Sequence, residues 1–406
     1  MLTSMAGAMT FAAGGAMAQE AFVYKTYPLP GTPKPDNVDN SRRIVPAPEK
    51  DYWPFSGVSG AGQPVTVETQ RGGWFSNISD VRYKGPVPRS YPTSDWDQKD
   101  AGDAVISGLL PPIWPIWDVH IRDTIVCVGG DGYYYMSGTT GDNCWAFNDG
   151  IELWRSKDLA HWDYFGLVWS IERDGKWEKN WSMRAGVPFR AIWAPELHYI
   201  GGTYYLCHCI SGQGMAVLRS TSGRAEGPYV HVLSDEPIKG GIDPTLFADD
   251  DGRIYLSYGS GEKIREIRAD FSGFVGDWQP VIYDFSQDPK ADPAEVTPKR
   301  LGFEGVTIFK AGGKYYLGVC EFHHERYSFM FASSEKLLGP YTGRHEGPAG
   351  AGGGNLFHDR DGRWWQTFFG NDTQMPFREK PALVAITRDP QGHIRPLPEQ
   401  PFKPLI

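Results

Sequence analysis

A short phrase recurs five times in this 406-residue chain, and it constrains the fold more than any other feature. Each copy has a glycine, one further residue, two large residues and usually an aliphatic residue, and the glycines are Gly132, Gly202, Gly252, Gly313 and Gly362. Nine positions before the glycine, three copies carry an acid: Asp123, Asp243 and Glu304. Trp193 and Gly353 stand there in the other two copies. A repeat that returns carboxylates to one structural position favours a radial fold that points several acids at a common centre.

Each repeat also supplies four strand-like runs separated by turn residues. In the third repeat the runs are Pro244–Ala248, Arg253–Tyr258, Ile264–Ala269 and Pro280–Tyr283. In the fourth they are Val306–Lys310, Lys314–Val319, Ser328–Ala332 and a short run near Tyr341. Five sets of four strands, at about 58 residues per set, match the scale of propeller blades enlarged by loops. The sequence therefore predicts an all-β fold, a five-bladed β-propeller over residues 115–406 with four antiparallel strands in each blade.

The three repeated acids open the first strands of their blades. Because first strands line the central channel of a propeller, Asp123, Asp243 and Glu304 are predicted to converge near one of its mouths. Carboxylates that share a cleft shift one another's pKa values apart. One ionised and one protonated carboxylate suit glycoside hydrolysis. Calcium binding through oxygen ligands and a structural role in turns are the alternatives that the spacing leaves open.

The first 114 residues do not repeat in the way that the later residues do. Residues 1–18 end in Ala16-Met17-Ala18, a cleavage signature, and are predicted to be a signal peptide that is too short for a permanent membrane span, although no Lys or Arg precedes the apolar part. Residues 19–114 are rich in Pro, Gly and Ser with scattered aromatics such as Trp53 and Trp74, and are predicted to form an extended arm that packs on the propeller. A periplasmic or secreted protein is expected.

Charge and cysteine content narrow the classes of partner. The formal net charge is −9 and no run of Lys or Arg occurs, so a nucleic-acid partner is excluded and a neutral oligosaccharide or polysaccharide fits. The five cysteines cannot all pair within one chain, and no Cys–His spacing is typical of zinc. They are predicted to be structural, and no protein metal site is predicted. The sequence carries no signal for the oligomeric state.

Several phrases resemble glycoside hydrolase family 43, the five-bladed propeller glycosidases, over residues 115–390. The phrases are Ile121-Arg122-Asp123, Gly150–Leu159 with Trp162, Trp193–Tyr199, Ile242–Thr245 and Phe303-Glu304-Gly305. The resemblance implies an inverting O-glycosyl hydrolase that needs no cofactor, with Asp123 as general base, Asp243 as pKa modulator and Glu304 as general acid. Inversion needs the base and the acid roughly 6.5–9.5 Å apart.

The resemblance also implies a substrate class. An α-L-arabinofuranosidase or β-xylosidase that releases sugars from plant or algal polysaccharide fragments is expected. A carbohydrate-binding propeller without activity is the first alternative. A divergent enzyme acting on a galactoside or an anhydro-sugar, or by lyase chemistry, is the second.

Four further positions are candidates for substrate binding. Trp193 is in phase with the repeated acids and would stack on a sugar or fill the core, and His120 precedes the first-blade phrase. Arg378 is expected on the fifth blade, where it would pair with Asp123 or hold a sugar hydroxyl, and Phe322 extends a strand of the fourth blade beside His323 and His324. Glu196 is three residues out of phase and is interpreted as a residue that fixes Trp193 and the nearby backbone.

The in-phase position of the fifth blade departs from the family. Many members carry a histidine there, beside a hydrated calcium ion in the channel, whereas this chain carries Gly353. A central calcium is therefore compatible with the resemblance but is placed in doubt by this glycine.

Overall fold

The fold is an antiparallel β-structure of five four-stranded sheets arranged in a ring. A computed structural model describes the strand Val23–Tyr24 and residues 121–140, 148, 150–160, 162–184, 187–210, 212–288, 298–323, 326–369, 371, 381–401 and 403–404. The predicted all-β, five-bladed propeller is confirmed. The predicted leader and nearly all of the predicted arm lie outside the described residues, and their boundaries stay predictions.

Strands follow one another within each blade from the channel outward. The first blade contains β2 (Arg122–Val128), β3 (Tyr134–Thr139), β4 (Gly150–Ser156) and β5 (Asp163–Ser170). The second contains β8 (Ile192–Ile200), β9 (Thr203–Ile210), β10 (Gly214–Ser220) and β11 (Tyr229–Val232). The third contains β12 (Thr245–Ala248), β13 (Ile254–Ser257), β14 (Lys263–Ile267) and β15 (Phe274–Pro280).

The last two blades have the same strand order. The fourth contains β16 (Glu304–Ala311), β17 (Lys314–His323), β18 (Arg326–Ser334) and β19 (Thr342–Glu346). The fifth contains β20 (Leu356–His358), β21 (Trp364–Phe368), β22 (Ala382–Arg388) and β23 (Ile394–Pro396). Between the first two blades lie helix α1 (Ile171–Asp174), one 3-10 turn (Trp177–Lys179) and the hairpin of β6 (Ser182–Arg184) and β7 (Val187–Phe189). Strand β1 (Val23–Tyr24) pairs in parallel with β24 (Lys403–Pro404).

The recurring glycine of the sequence phrase closes the hairpin between the first two strands of a blade. In the third blade the Asp249 N–H donates to the Arg253 carbonyl at 2.8 Å, and Gly252 between them has φ +84°. This left-handed conformation favours glycine because it has no Cβ. The turn sets the register of the hairpin, and the same bonds recur from Asp359 to Arg363 in the fifth blade.

Apolar side chains fill the wedge between each pair of neighbouring blades. The described residues form five large core clusters, one at each blade interface. Tyr135 and Leu206 share the cluster between the first and second blades, whereas Val126 and Trp365 share the one between the first and fifth. Because middle strands such as β3 and β9 are buried on both faces, they lack the alternation of a surface strand.

Asn355 closes the ring between the fifth and first blades. Its side-chain amide donates to the Val126 carbonyl at 3.0 Å, and its side-chain oxygen accepts the Val126 N–H at 3.0 Å. The Thr124 N–H donates to the Gly353 carbonyl at 3.0 Å next to this pair. One asparagine thus bonds the edge of β2 as a neighbouring strand would, and it fixes the first blade against the last.

One predicted strand of the third blade is wrong. The fourth strand is Phe274–Pro280, not Pro280–Tyr283. This outer strand is largely exposed, so it has no apolar pattern to reveal it. The apolar run after it instead joins the fourth blade. The Tyr341 N–H donates to the Ile282 carbonyl at 2.8 Å, and the Ile282 N–H donates to the Leu338 carbonyl at 2.9 Å. Among the described residues, no helix is long and apolar enough to cross a bilayer.

Candidate active site

A small cavity opens where the first strands begin, and all three repeated acids line it. Its volume is about 70 Å³. The lining residues are Arg122, Asp123, Thr139, Trp193, Ile242, Asp243 and Glu304. The structure therefore brings together carboxylates that lie up to 181 positions apart in the chain, from 123 to 304.

Irregular backbone at the start of the first strands aims these side chains into the channel. Asp123 has φ +51° and Asp243 has φ +53°, a left-handed conformation that is uncommon outside glycine. The pairing register shifts directly after Arg122 and directly after Glu304, as it does at a β-bulge. Such strain costs about 1–3 kcal/mol for each residue and is concentrated at functional sites.

Asp123 is held by a hydroxyl that is itself held by the second blade. The Thr139 hydroxyl donates to Asp123 Oδ2 at 2.7 Å, and the Ala194 N–H donates to the same hydroxyl oxygen at 2.8 Å. Burial raises the pKa of Asp123, whereas the nearby Arg122 and the Thr139 hydrogen bond oppose that rise. The two opposing groups favour the ionised carboxylate that a general base needs.

Glu304 has a phenol as its partner. The buried Tyr327 donates its hydroxyl to Glu304 Oε1 at 2.8 Å. Burial raises the pKa of Glu304 and the negative charge of Asp123 raises it further, whereas the Tyr327 bond and Arg122 lower it. Because the rise prevails, this carboxyl holds its proton to higher pH than an exposed glutamate.

Asp243 links the other two acids. Its Oδ2 accepts the N–H of Gly305, the residue that follows Glu304, at 3.0 Å. Burial raises the pKa of Asp243 well above its ordinary value, and the charges of Asp123 and Glu304 add to the rise. Three buried carboxyl groups around one small cavity cannot all be ionised, so their proton occupancy belongs to the set.

Arg122 is the cation of the cavity. Its guanidinium lies 4.6 Å from the centre of the Phe369 ring, and its Nη1 donates to Asn371 Oδ1 at 3.1 Å. Phe369 is fully buried, and its ring centre also lies 5.9 Å from that of Tyr327. A single aromatic ring therefore supports both the cation beside Asp123 and the phenol bonded to Glu304.

The sequence reasoning did not select Arg122, Thr139 or Tyr327 as site residues. Arg122 directly precedes Asp123 in the first-blade phrase, and this adjacency is the signal that could have revealed it. Thr139 ends a second strand and Tyr327 lies near the start of a third strand. No feature of the repeat marks those positions, because the repeat aligns first strands.

Of the four positions predicted to bind substrate, two lie among the described residues, and one of these two lines the cavity. Trp193 lines the cavity and is half-buried. Phe322 does not line it: the side chain is 53% exposed and stacks on Phe303, with ring centres 5.9 Å apart. His120 and Arg378 lie outside the described residues, as does His324. Their predicted roles stay predictions.

Glu196 contacts a residue that sequence reasoning did not pair with it. Its Oε2 lies 3.0 Å from His198 Nε2, two positions further along the same strand. His198 and Glu196 share one face of β8 because side chains alternate along a strand. Neither side chain lines the acidic cavity, but the charge of Glu196 is close enough to add to the rise in the pKa of Asp243.

The fifth-blade position does not fit the calcium arrangement that the family resemblance implies. A Cβ built on Gly353 would lie 1.9 Å from Phe369 Cε1, and the residue has φ +74°. The Phe369 ring therefore occupies the space that a ligand side chain would need. Calcium takes oxygen ligands, and this position offers an aromatic ring.

Comparisons with known proteins agree with this architecture. The profile of glycosyl hydrolases family 43 matches residues 114–393. The extracellular exo-α-(1→5)-L-arabinofuranosidase of Cellvibrio japonicus is 24% identical over 271 residues, which cover 61% of this chain and 73% of that protein. A xylan 1,3-β-xylosidase of Vibrio sp. is 27% identical over 279 residues, which cover 60% of this chain and 46% of that protein. The chain thus spans about half the length of several such relatives.

Solved structures share the fold. The GH43_1 enzyme of Xanthomonas citri complexed with xylotriose superposes with a TM-score of 0.56 at 18% identity, over 74% of this chain and 97% of that one. A thermostable family-43 glycoside hydrolase gives 0.51 at 20% identity, over 70% and 94%. With a family match over most of its length, the chain belongs to glycosyl hydrolases family 43, a family of O-glycosyl hydrolases.

Proposed function

We propose that this family member hydrolyses glycosides with inversion, with Asp123 as base, Glu304 as acid and Asp243 as modulator. The observation that carries the proposal is the single cavity lined by these carboxyl groups, each with a different hydrogen-bond partner. Two carboxylates with different proton affinities are what one-step glycoside hydrolysis requires.

The proposed step moves two protons in one displacement. Asp123 takes a proton from a water molecule whose oxygen bonds to the anomeric carbon. The bond from that carbon to the leaving oxygen breaks, and Glu304 gives its proton to that oxygen. Proton exchange with solvent then restores both groups. Asp243 contributes through its bond to the Gly305 N–H, which orients the strand of the acid, and through charge coupling to Glu304.

The proposed substrates are α-L-arabinofuranosides or β-xylosides from plant or algal polysaccharides. Relatives named for these two activities support this class, as do structures of a relative with xylotriose and with xylose. Both sugars are pentoses without charge, and a small neutral ring suits a small cavity. Export to the periplasm or the medium is proposed from the predicted leader and from relatives described as extracellular.

A panel of aryl arabinofuranosides, aryl xylosides and plant oligosaccharides tests the proposal. Proton NMR should show the inverted anomer as the first product.

The variants Asp123→Asn and Glu304→Gln test the two proposed roles. Each should lower kcat on oligosaccharides at least about a hundredfold. Glu304→Gln should lower kcat less on aryl glycosides with a good leaving group. Asp270→Asn, on an exposed turn, serves as control. A retained anomer would refute inversion, and full activity in either variant would refute its role.

A further inference from the structure

A second group of donor atoms lies between the second and third blades, and the proposed hydrolysis does not use it. Glu196 and His198 project from one face of β8. Cys207 lies on the neighbouring strand β9, directly opposite Glu196. One ligand atom from each of the three lies within 4.8 Å of the other two. His198 Nε2 is 3.0 Å from Glu196 Oε2 and 3.7 Å from Cys207 Sγ.

These separations are close to those of a tetrahedral transition-metal site. Zinc bonds of about 2.3 Å to sulfur and about 2.0–2.2 Å to nitrogen and oxygen place neighbouring ligand atoms roughly 3.3–3.6 Å apart. The separations of 3.0 Å and 3.7 Å bracket that range, so shifts of a few tenths of an ångström would admit an ion. Thiolate and imidazole donors select zinc over calcium or magnesium.

The surroundings of the group are suited to a closed site. Cys207 is fully buried, whereas the side chains of Glu196 and His198 are 9% and 18% exposed. Cys207 Sγ also lies 2.9 Å from the Pro244 carbonyl oxygen, which belongs to the third blade. That carbonyl is a fourth donor beside the three side chains, and all four come from strands or from the residue that precedes one.

We propose that Glu196, His198 and Cys207 form a zinc site, with the Pro244 carbonyl or a water molecule as the fourth ligand. The metal displaces the thiol proton that Cys207 otherwise donates to Pro244. Pro244 directly follows Asp243, so a bound ion ties the second blade to the segment that carries the proposed modulator. A thiol hydrogen bond beside a His–Glu pair, without any metal, is the competing description.

Cobalt(II) titration of the metal-stripped full chain separates the two descriptions, because a cysteine thiolate bound to cobalt gives a charge-transfer band in the near ultraviolet. The band should appear at one ion per chain and be lost in Cys207→Ser. Cys209→Ser is the matched control: Cys209 is equally buried on the same strand, and its Sγ lies 3.4 Å from the Trp193 carbonyl oxygen, outside the cluster. That variant should keep the band.

Thermal unfolding gives a second readout that needs no substrate and is independent of the proposed hydrolysis. Zinc should raise Tm in the wild type and in Cys209→Ser, but not in Cys207→Ser or His198→Gln. No cobalt band in the wild type, or a band that survives in Cys207→Ser, would overturn the site. If Cys207→Ser does not fold, loss of the band in folded His198→Gln supports the site and its retention overturns it.

Discussion

The hydroxyl of Tyr327 donates a 2.8 Å hydrogen bond to Glu304 Oε1, so the proposed acid is bonded to a phenol from the third strand of its own blade. A donated hydrogen bond stabilises the ionised carboxylate and lowers its pKa. Burial acts in the opposite direction and prevails. Tyr327 therefore limits how far the pKa of Glu304 rises, which sets the upper pH at which the acid still holds its proton.

Tyr327→Phe should move the basic limb of the kcat/KM profile to higher pH. Removal of the donor raises the pKa of Glu304 further, and a general acid with a higher pKa stays protonated to higher pH. Rate measurements across the pH range on an unactivated substrate test this. Tyr316→Phe removes the hydroxyl of a buried tyrosine that bonds the Gly392 carbonyl and should leave the limb in place. An unchanged or lowered basic limb in Tyr327→Phe would contradict the prediction.

Thr139→Val should move the acidic limb to higher pH and also destabilise the fold. Burial already raises the pKa of Asp123, and loss of the Thr139 donor removes one of the two opposing effects. The Ala194 N–H loses its acceptor at the same time, which costs about 1–3 kcal/mol. The pH–rate profile and urea unfolding measure the two effects. Thr139→Ser keeps the hydroxyl and should return the acidic limb to its wild-type pH. A role of Thr139 in packing alone would not produce this outcome.

The repeat predicted the propeller because each copy encodes a local hairpin. Strand pairs such as β12–β13 are closed by a turn in which Gly252 has positive φ, and that requirement is visible in sequence. Strand β15 was missed because it lies on the outer edge, where little apolar surface is buried. Turn chemistry and core burial leave signals in one sequence, whereas an exposed edge strand leaves none.

The candidate site likewise contains residues that the sequence predicts and residues that it does not. The positions of Asp123, Asp243 and Glu304 follow from the repeat, which aligns first strands. Thr139 and Tyr327 reach those acids only through cross-strand and inter-blade neighbours, and no spacing along the chain encodes such contacts. Phe322 was predicted from its place at the end of a strand, but its side chain lies outside the cavity lining.

Phe369→Leu should move both limbs of the pH profile to higher pH. The ring supports the Arg122 guanidinium at 4.6 Å, and Arg122 opposes the rise that burial causes in the pKa of Asp123 and of Glu304. A less well-held cation would leave both pKa values higher. Phe368→Leu is the matched control, because Phe368 is equally buried, adjacent in the chain and part of the same core cluster, whereas the Arg122 guanidinium lies over the Phe369 ring. Loss of activity without displacement of either limb would make Phe369 a packing residue only.

Glu178→Gln should destabilise the protein at neutral pH and much less at low pH. The fully buried Glu178 Oε1 lies 2.8 Å from His231 Nε2 and 3.2 Å from His208 Nε2. Burial raises the pKa of Glu178, but the bonds and charges of both histidines prevail and hold this pKa well below the ordinary value.

A carboxyl group with a depressed pKa in the folded state stabilises the fold above its unfolded pKa, roughly 4.3. That stabilisation is lost as the pH falls towards the folded pKa. At pH 7 the loss should be about 1.5–3 kcal/mol, as for hydrogen bonds to a charged group. Urea unfolding at pH 7 and at successively lower pH measures the difference, with Glu172→Gln as control, since Glu172 pairs with Arg190 but its side chain is 70% exposed. A difference between Glu178→Gln and wild type that stayed constant down to the lowest pH would contradict a charged Glu178 in the folded state.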